Sequence, residues 1–303
     1  MKIAIAGGTG FVGRHLRERL EHSGHEVVVL SRRTGADLDL DPSGLARFLV
    51  GCEAVVHCAG INREIGDQTY EAVHVRGTHH LVDAARLAGV RRIVMLSFLR
   101  ARPDGPTAYH RSKWAAEEIV RSSGLSYTIL KAGVIHGRGD HMLDHLSHAF
   151  HTFPVFGLVG WRERPVRPVA VDDVTRILET VALGDPRLAS RSVAVLGPEE
   201  MGLGEAVRRV AKVVGRTPRF VRLPVVAQIG LAGVAEWTMR VPLISIAQVH
   251  ILAEGVVKAL PFADPLPSDL LPMTPFSPEV IARGLPEPGG FGRRDLRCYG
   301  TAT

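Results

Sequence analysis

The chain opens with Lys2-Ile3-Ala4-Ile5-Ala6, followed at once by Gly7-Gly8-Thr9-Gly10-Phe11-Val12-Gly13-Arg14. Lys2 to Ala6 is a short apolar run of the kind that makes a buried strand, and an amphipathic helix is predicted from Gly10 to Ser23. Gly7, Gly10 and Gly13 punctuate the turn between them. Larger side chains there would keep main-chain amides and the positive helix end away from a pyrophosphate. Glycine repeats also serve plain structural turns; it is the strand before and the helix after that point to a bound dinucleotide, with Thr9, Phe11, Val12 and Arg14 in the same candidate contact.

Outward from this turn, short apolar runs alternate with amphipathic stretches. Strands are predicted at Lys2 to Ala6, Glu26 to Leu30, Ala54 to His57, Arg92 to Leu96, Tyr127 to Lys131 and Ser192 to Leu196. Helices are predicted at Gly10 to Ser23, Ser43 to Val50, Tyr70 to Ala88, Thr107 to Ser123 and Asp172 to Leu183, several ending at Gly or Pro. This rhythm feeds a parallel sheet and makes the fold class α/β. The nucleotide-binding domain is expected over 1–197, with 136–170 contributing to the substrate cleft. Over 198–303 the helical stretches near 203–214, 225–240 and 243–259 have little strand between them, which predicts a smaller, mostly helical lobe. Eight of the 19 prolines lie between Pro261 and Pro288, so this tail is expected to run extended over the second lobe, with mobility beyond Gly289.

Composition narrows the class. The 303 residues are 46% hydrophobic and 22% charged, which excludes disorder, collagen and coiled coil. The net charge of +6 comes from Lys and Arg spread along the chain without a run, so an anionic small ligand suits it and a nucleic acid does not. Cys52, Cys58 and Cys298 show neither a metal-ligand nor a disulfide pattern, and the amino terminus lacks a signal-peptide pattern; a cytoplasmic, reducing location is expected. The uncharged stretches 223–235 and 241–253 are too short for a membrane span.

The second predicted strand runs into Ser31-Arg32-Arg33, where an NAD-preferring site carries an acid for the ribose hydroxyls. Two cations stand there instead. A guanidinium pairs with the extra phosphate of NADP, so NADP(H) is the expected cofactor and NAD(H) the alternative, with Arg14 and Asp39 as further contacts. Tyr109-His110-Arg111-Ser112-Lys113 falls on a predicted helix, and a spacing of four puts the phenol and the ammonium on one face. The cation is expected to lower the tyrosine pKa, letting the pair move a hydroxyl proton while a nicotinamide handles the hydride.

The glycine turn, His57-Cys58-Ala59-Gly60, the Tyr-xxx-Lys helix, Lys131-Ala132-Gly133-Val134-Ile135-His136-Gly137-Arg138-Gly139-Asp140 and Pro168-Val169-Ala170-Val171-Asp172-Asp173-Val174 together resemble the extended and atypical short-chain dehydrogenase/reductases. Within that superfamily the sequence is most similar to the group holding the nucleotide-binding accessory subunit of respiratory complex I and bacterial epimerase/dehydratase-like proteins. The likeness covers about residues 1 to 215. It implies a doubly wound parallel Rossmann sheet, bound NAD(P) touching Cys58, Ala59 and Gly60, and a substrate cleft between the sheet's carboxyl edge and the C-terminal lobe. It also implies Tyr109 as proton donor or acceptor, Lys113 holding the nicotinamide ribose, and Ser97 orienting the substrate oxygen.

Three departures stand out. Ser97 is followed by Phe98 and Leu99, where the family's acting hydroxyl often sits a position or two later. His74 in Val73-His74-Val75-Arg76-Gly77-Thr78 replaces a usual Asn, and Lys131-Ala132 replaces a common Arg-Pro. His141, His145 and His148 have ligand-like spacing beside Asp140 and Asp144, but no second ligand element accompanies them, so no metal site is expected. The expected function is an NAD(P)-dependent oxidoreductase or epimerase acting on a secondary alcohol or ketone, with the apolar stretches of the second lobe as core or as lining for a greasy substrate. The alternative is a non-catalytic NADP(H)-binding protein for structure, assembly or redox sensing. The sequence is silent on oligomeric state.

Overall fold

The computed structural model describes residues 1–239, 244–261, 263–292 and 295. The chain forms two units, one of 1–133, 171–196 and 258–273, the other of 134–170, 197–257 and 274–303. The expected boundary at 197 is thus one of several crossings between them.

The first unit holds strands β1 (Lys2–Ala6), β2 (Glu26–Leu30), β3 (Ala54–His57), β4 (Arg92–Phe98) and β5 (Ser126–Ala132), and a sixth strand, Arg191–Val195. All are parallel, in the order Arg191–Val195, β5, β4, β3, β1, β2. Strands covered on both faces must be apolar throughout, and Ile3 to Ala6 and Ala54 to His57 are buried at every position. Helices α1 (Phe11–His22), α2 (Pro42–Leu49), α3 (Gly77–Leu87) and α4 (Ala108–Arg121) follow the strands, with Val171–Leu183 preceding the sixth.

Val12, Leu16 and Leu20 line one face of α1 and are buried, which positions its amino end above β1. Truncating Leu16 to Ala would cost about 2–5 kcal/mol. The chain moves from β1 outward to β2 and back to β3, so strand order reverses between β1 and β3. A crevice opens at their carboxyl ends, the place where such sheets bind ligands. The predicted helix Tyr70 to Ala88 is interrupted: Glu71–Arg76 forms a wider π turn before α3. Such turns recur at functional sites, and this one carries His74.

One of the C-terminal expectations changes. Residues 258–273, expected over the second lobe, belong to the first unit. Leu260 N donates to the Leu99 carbonyl, Asp264 N to that of Ser192, and Ala194 N to that of Asp264. The prolines remove donors from this segment but leave these amides free to pair. The chain beyond Gly289 lies largely outside the described residues, as do Cys298 and positions 241–243 of the second apolar stretch.

The second unit is built from the helices His141–Thr152, Leu203–Val214, Val225–Thr238, Ile246–Glu254 and Pro278–Gly284. Short strand pairs supplement them: Val155–Val159 runs parallel to Arg219–Leu223, which the sequence reading did not place. Its core gathers Leu143, Phe150, Leu158, Val210, Phe276 and Ile281.

Candidate active site

Gly7 adopts φ +81°, and a Cβ there would stand 2.7 Å from the backbone of Ala59. A Cβ on Gly13 would stand 2.2 Å from the Gly7 carbonyl, so the turn closes only with glycine at both positions. Gly10 precedes α1 without a side-chain cap, which leaves the first-turn amides of Phe11, Val12 and Gly13 with no partner inside the helix. These residues form a cradle at the crevice that fits a pyrophosphate.

At the carboxyl end of β2, Ser31 caps a short turn, Arg32–Thr34, and Thr34 Oγ1 donates to the Val29 carbonyl at 2.9 Å. Arg32 donates to Gln68 Oε1 at 3.0 Å. Arg14 and Arg33 are exposed and make no ion pair among the described residues. Asp39 is exposed in the loop beyond, its amide on Asp37.

Tyr109, Lys113 and Glu117 follow one another at intervals of four on the buried face of α4. The Lys113 side chain is buried and its ammonium has no hydrogen-bond partner among the described residues. It lies against the loop after β3, where a Cβ on Gly60 would stand 2.9 Å from Nζ. Burial pulls its pKa down to about 8, against the opposing pull of Glu117 and Cys58. The Tyr109 hydroxyl likewise has no partner among the described residues. Its ring is enclosed by Phe98 at 5.4 Å, His74 at 5.7 Å and Tyr70 at 5.8 Å between centroids. Burial, and then Tyr70, push its pKa up. This corrects the expectation of a lowered value: desolvation of the phenolate outweighs the cation one turn away.

His74 joins the two halves of this arrangement. Its Nε2 accepts from the Ile61 amide at 3.0 Å, so Nδ1 carries the proton and donates to Ser112 Oγ at 2.9 Å. Ser112 in turn donates to the Tyr109 carbonyl. Burial and the nearby Lys113 hold His74 well below the usual imidazole range, in keeping with that neutral tautomer. His57, at the end of β3, is buried too and is lowered to about 3 by the same causes.

Ser97 is engaged elsewhere. Its hydroxyl donates to Glu117 Oε1 at 2.6 Å, eight residues and about 12 Å of helix rise from Tyr109. Glu117 also accepts from Lys131 Nζ at 2.8 and 2.9 Å and from Arg121 at 2.7 Å. Lys131, the residue replacing the family's Arg, therefore serves this buried network together with the Ala101 carbonyl. Glu117 escaped the sequence reading, although an acid four residues from both Lys113 and Arg121 on an otherwise buried helix face was a usable signal.

The three spaced histidines lie in the second unit. His148 Nδ1 donates to the Asp144 carbonyl at 2.8 Å, and His141 and His145 have ring centroids 5.8 Å apart. Among the described residues no three His, Cys, Asp or Glu are arranged to hold a metal ion. Asp140 caps the helix through the Leu143 amide, and burial raises its pKa to about 6. A cavity of about 230 Å³ lined by Arg92, Ser126 and Asp185 opens at the amino ends of β4 and β5. It lies at the opposite edge of the sheet from the glycine cradle and takes no part in the site.

The profile of the NAD dependent epimerase/dehydratase family matches residues 3–182. The ceramide reductase of Caulobacter vibrioides is 30% identical over 244 residues, 73% of each chain. Subunit 9 of the mouse mitochondrial NADH dehydrogenase [ubiquinone] 1 alpha subcomplex is 25% identical over 304 residues, covering 92% of this chain and 79% of the subunit. Among solved structures, MoeE5 in complex with UDP-glucuronic acid and NAD superposes with a TM-score of 0.64 at 20% identity, over 93% of this chain and 97% of that one.

Proposed function

The chain belongs to the NAD dependent epimerase/dehydratase family, and from that premise we propose that it is an NADP(H)-dependent reductase of a ketone on an apolar substrate. The observation that carries this is the pair of buried, unpartnered polar ends on α4, the Tyr109 hydroxyl and the Lys113 ammonium, with Gly60 beside the latter. Both side chains are largely buried, yet their polar ends are bonded to no described residue and are not among the polar atoms sealed from solvent, so a ligand can reach and complete them.

Gly7, Gly10 and Gly13 would hold the pyrophosphate through the first-turn amides of α1, and Lys113 would bond the nicotinamide ribose. Arg33 and Arg14, free of ion pairs among the described residues, and Arg32 would hold the 2′-phosphate. When bound, the cofactor supplies the hydride. Tyr109, kept protonated at neutral pH by burial, would donate its proton to the substrate oxygen as the carbonyl is reduced. The ceramide reductase likeness supports a lipid-like substrate, and the three cysteines suit a reducing, cytoplasmic compartment.

A second reading, a cofactor-binding protein without turnover, is favoured by Ser97. Its hydroxyl is held by Glu117, and Leu99, where the acting hydroxyl often sits, is buried and apolar. Titrating the purified protein with NADPH and NADH, then following NADPH oxidation over a panel of long-chain ketones and quinones, separates the two. Consumption with any of them supports the reductase; tight binding without consumption by any supports the binder. NADPH should bind about ten- to 150-fold more tightly than NADH, and Arg32→Ala/Arg33→Ala should erase the difference. Equal affinities in the unmodified protein would overturn the NADP assignment.

A further inference from the structure

We propose that the outward face of the helix Val225–Thr238 docks in the plane of an anionic lipid bilayer. This helix is inverted relative to an ordinary surface helix. Val226, Leu231, Val234 and Trp237 are 80%, 58%, 59% and 78% exposed, and with Ala227 and Gly230 they fill one arc of about 140° at 100° per residue. No charged residue falls in that arc. The two strongly polar side chains of the helix turn inward: Gln228 donates to the Gly157 carbonyl, and Glu236 accepts from the Ile246 amide at 2.9 Å.

A contiguous apolar face of this kind marks a contact with something apolar. The neighbouring charges identify what it is. Gly160 packs beside the start of the helix, its amide on the Leu223 carbonyl at 2.8 Å, and is followed by Trp161, 69% exposed. Arg162 and Arg164 follow Trp161, exposed and without ion pairs among the described residues, while the intervening Glu163 is neutralised by Arg222. An apolar strip carrying tryptophan, with uncompensated cations at one end, matches the acyl boundary and the anionic headgroups of a bilayer surface. Fourteen residues rise about 21 Å, short of the roughly 30 Å hydrocarbon layer, so the helix would lie along the surface. No helix among the described residues is long and apolar enough to cross a membrane.

The inference uses the second unit alone and stands or falls apart from the reductase reading. Its test is flotation of the full-length protein with vesicles of phosphatidylcholine and of phosphatidylcholine containing about one third phosphatidylglycerol. Flotation with the anionic vesicles is expected, about tenfold or more weaker with the neutral ones. Val234→Asp, on the exposed face, should abolish it with the thermal melt unchanged, and Arg162→Glu/Arg164→Glu should remove the preference for phosphatidylglycerol. A protein that floats with neither vesicle, or a Val234→Asp variant that floats as well as its parent, overturns the proposal. So does a dimer that Val234→Asp dissociates in the absence of flotation, because a second copy would then be the occupant.

Discussion

The two ends of α4 are equally buried and oppositely furnished. Around Glu117 every polar group has a partner: Ser97, Lys131 and Arg121 all converge on one carboxylate. One and two turns earlier, Lys113 and Tyr109 present an ammonium and a hydroxyl with no partner among the described residues. Polar groups bonded to one another in a core hold structure in place, whereas polar ends left without a protein partner at the edge of a buried face are open to a ligand. One helix therefore divides into a strut and a site.

The contrast breaks most sharply at Tyr109. Tyr109→Phe should lower turnover about 10²- to 10⁴-fold while leaving NADPH affinity and the urea midpoint nearly unchanged, because the lost hydroxyl bonds nothing among the described residues. A variant that turns over like its parent would remove Tyr109 from the chemistry. At the other end, Glu117→Ala strands the buried Lys131 ammonium and should cost about 3–5 kcal/mol of unfolding free energy by urea titration.

Lys113→Met sharpens the comparison through pH. A lysine at about 8 in the folded protein, against an ordinary 10.5, loses its proton on folding over that interval, so stability rises with pH there. Below pH 8 the charged side chain costs up to about 3 kcal/mol. The variant should thus unfold at higher urea at pH 7, with its advantage fading between pH 8 and 10.5, while its NADPH affinity falls. Absence of any pH dependence in the difference would mean that Lys113 has found a partner. The smallest effect is expected of Ser97→Ala: about 1.5–3 kcal/mol of stability, from a hydrogen bond to a carboxylate, with turnover within severalfold of the parent. A loss of turnover on the scale of Tyr109→Phe would return Ser97 to the reacting atoms.

Much of this molecule could be read in one dimension. The βα rhythm, the glycine turn and the placement of Tyr109 and Lys113 on one helix face all rest on spacing or on sterics among residues close in sequence, and the parallel sheet followed from them. The reading weakened wherever distant segments supply the deciding atom. Ser97 looked like an acting hydroxyl until Glu117, 20 residues on, accepted its hydrogen bond, and His74 looked like a lost Asn until Ser112, 38 residues on, gave its ring a purpose. The proline-rich segment met Leu99 and Ser192 of the first unit, which no local pattern encodes. The Tyr109 pKa went the other way from expectation for the same reason: a charge at i+4 is visible in the sequence, but the desolvation that outweighs it comes from rings brought in by folding. Periodicity and glycine sterics are local and survive without coordinates; burial and hydrogen-bond satisfaction belong to the packed chain, because they depend on what every other segment brings to the same point.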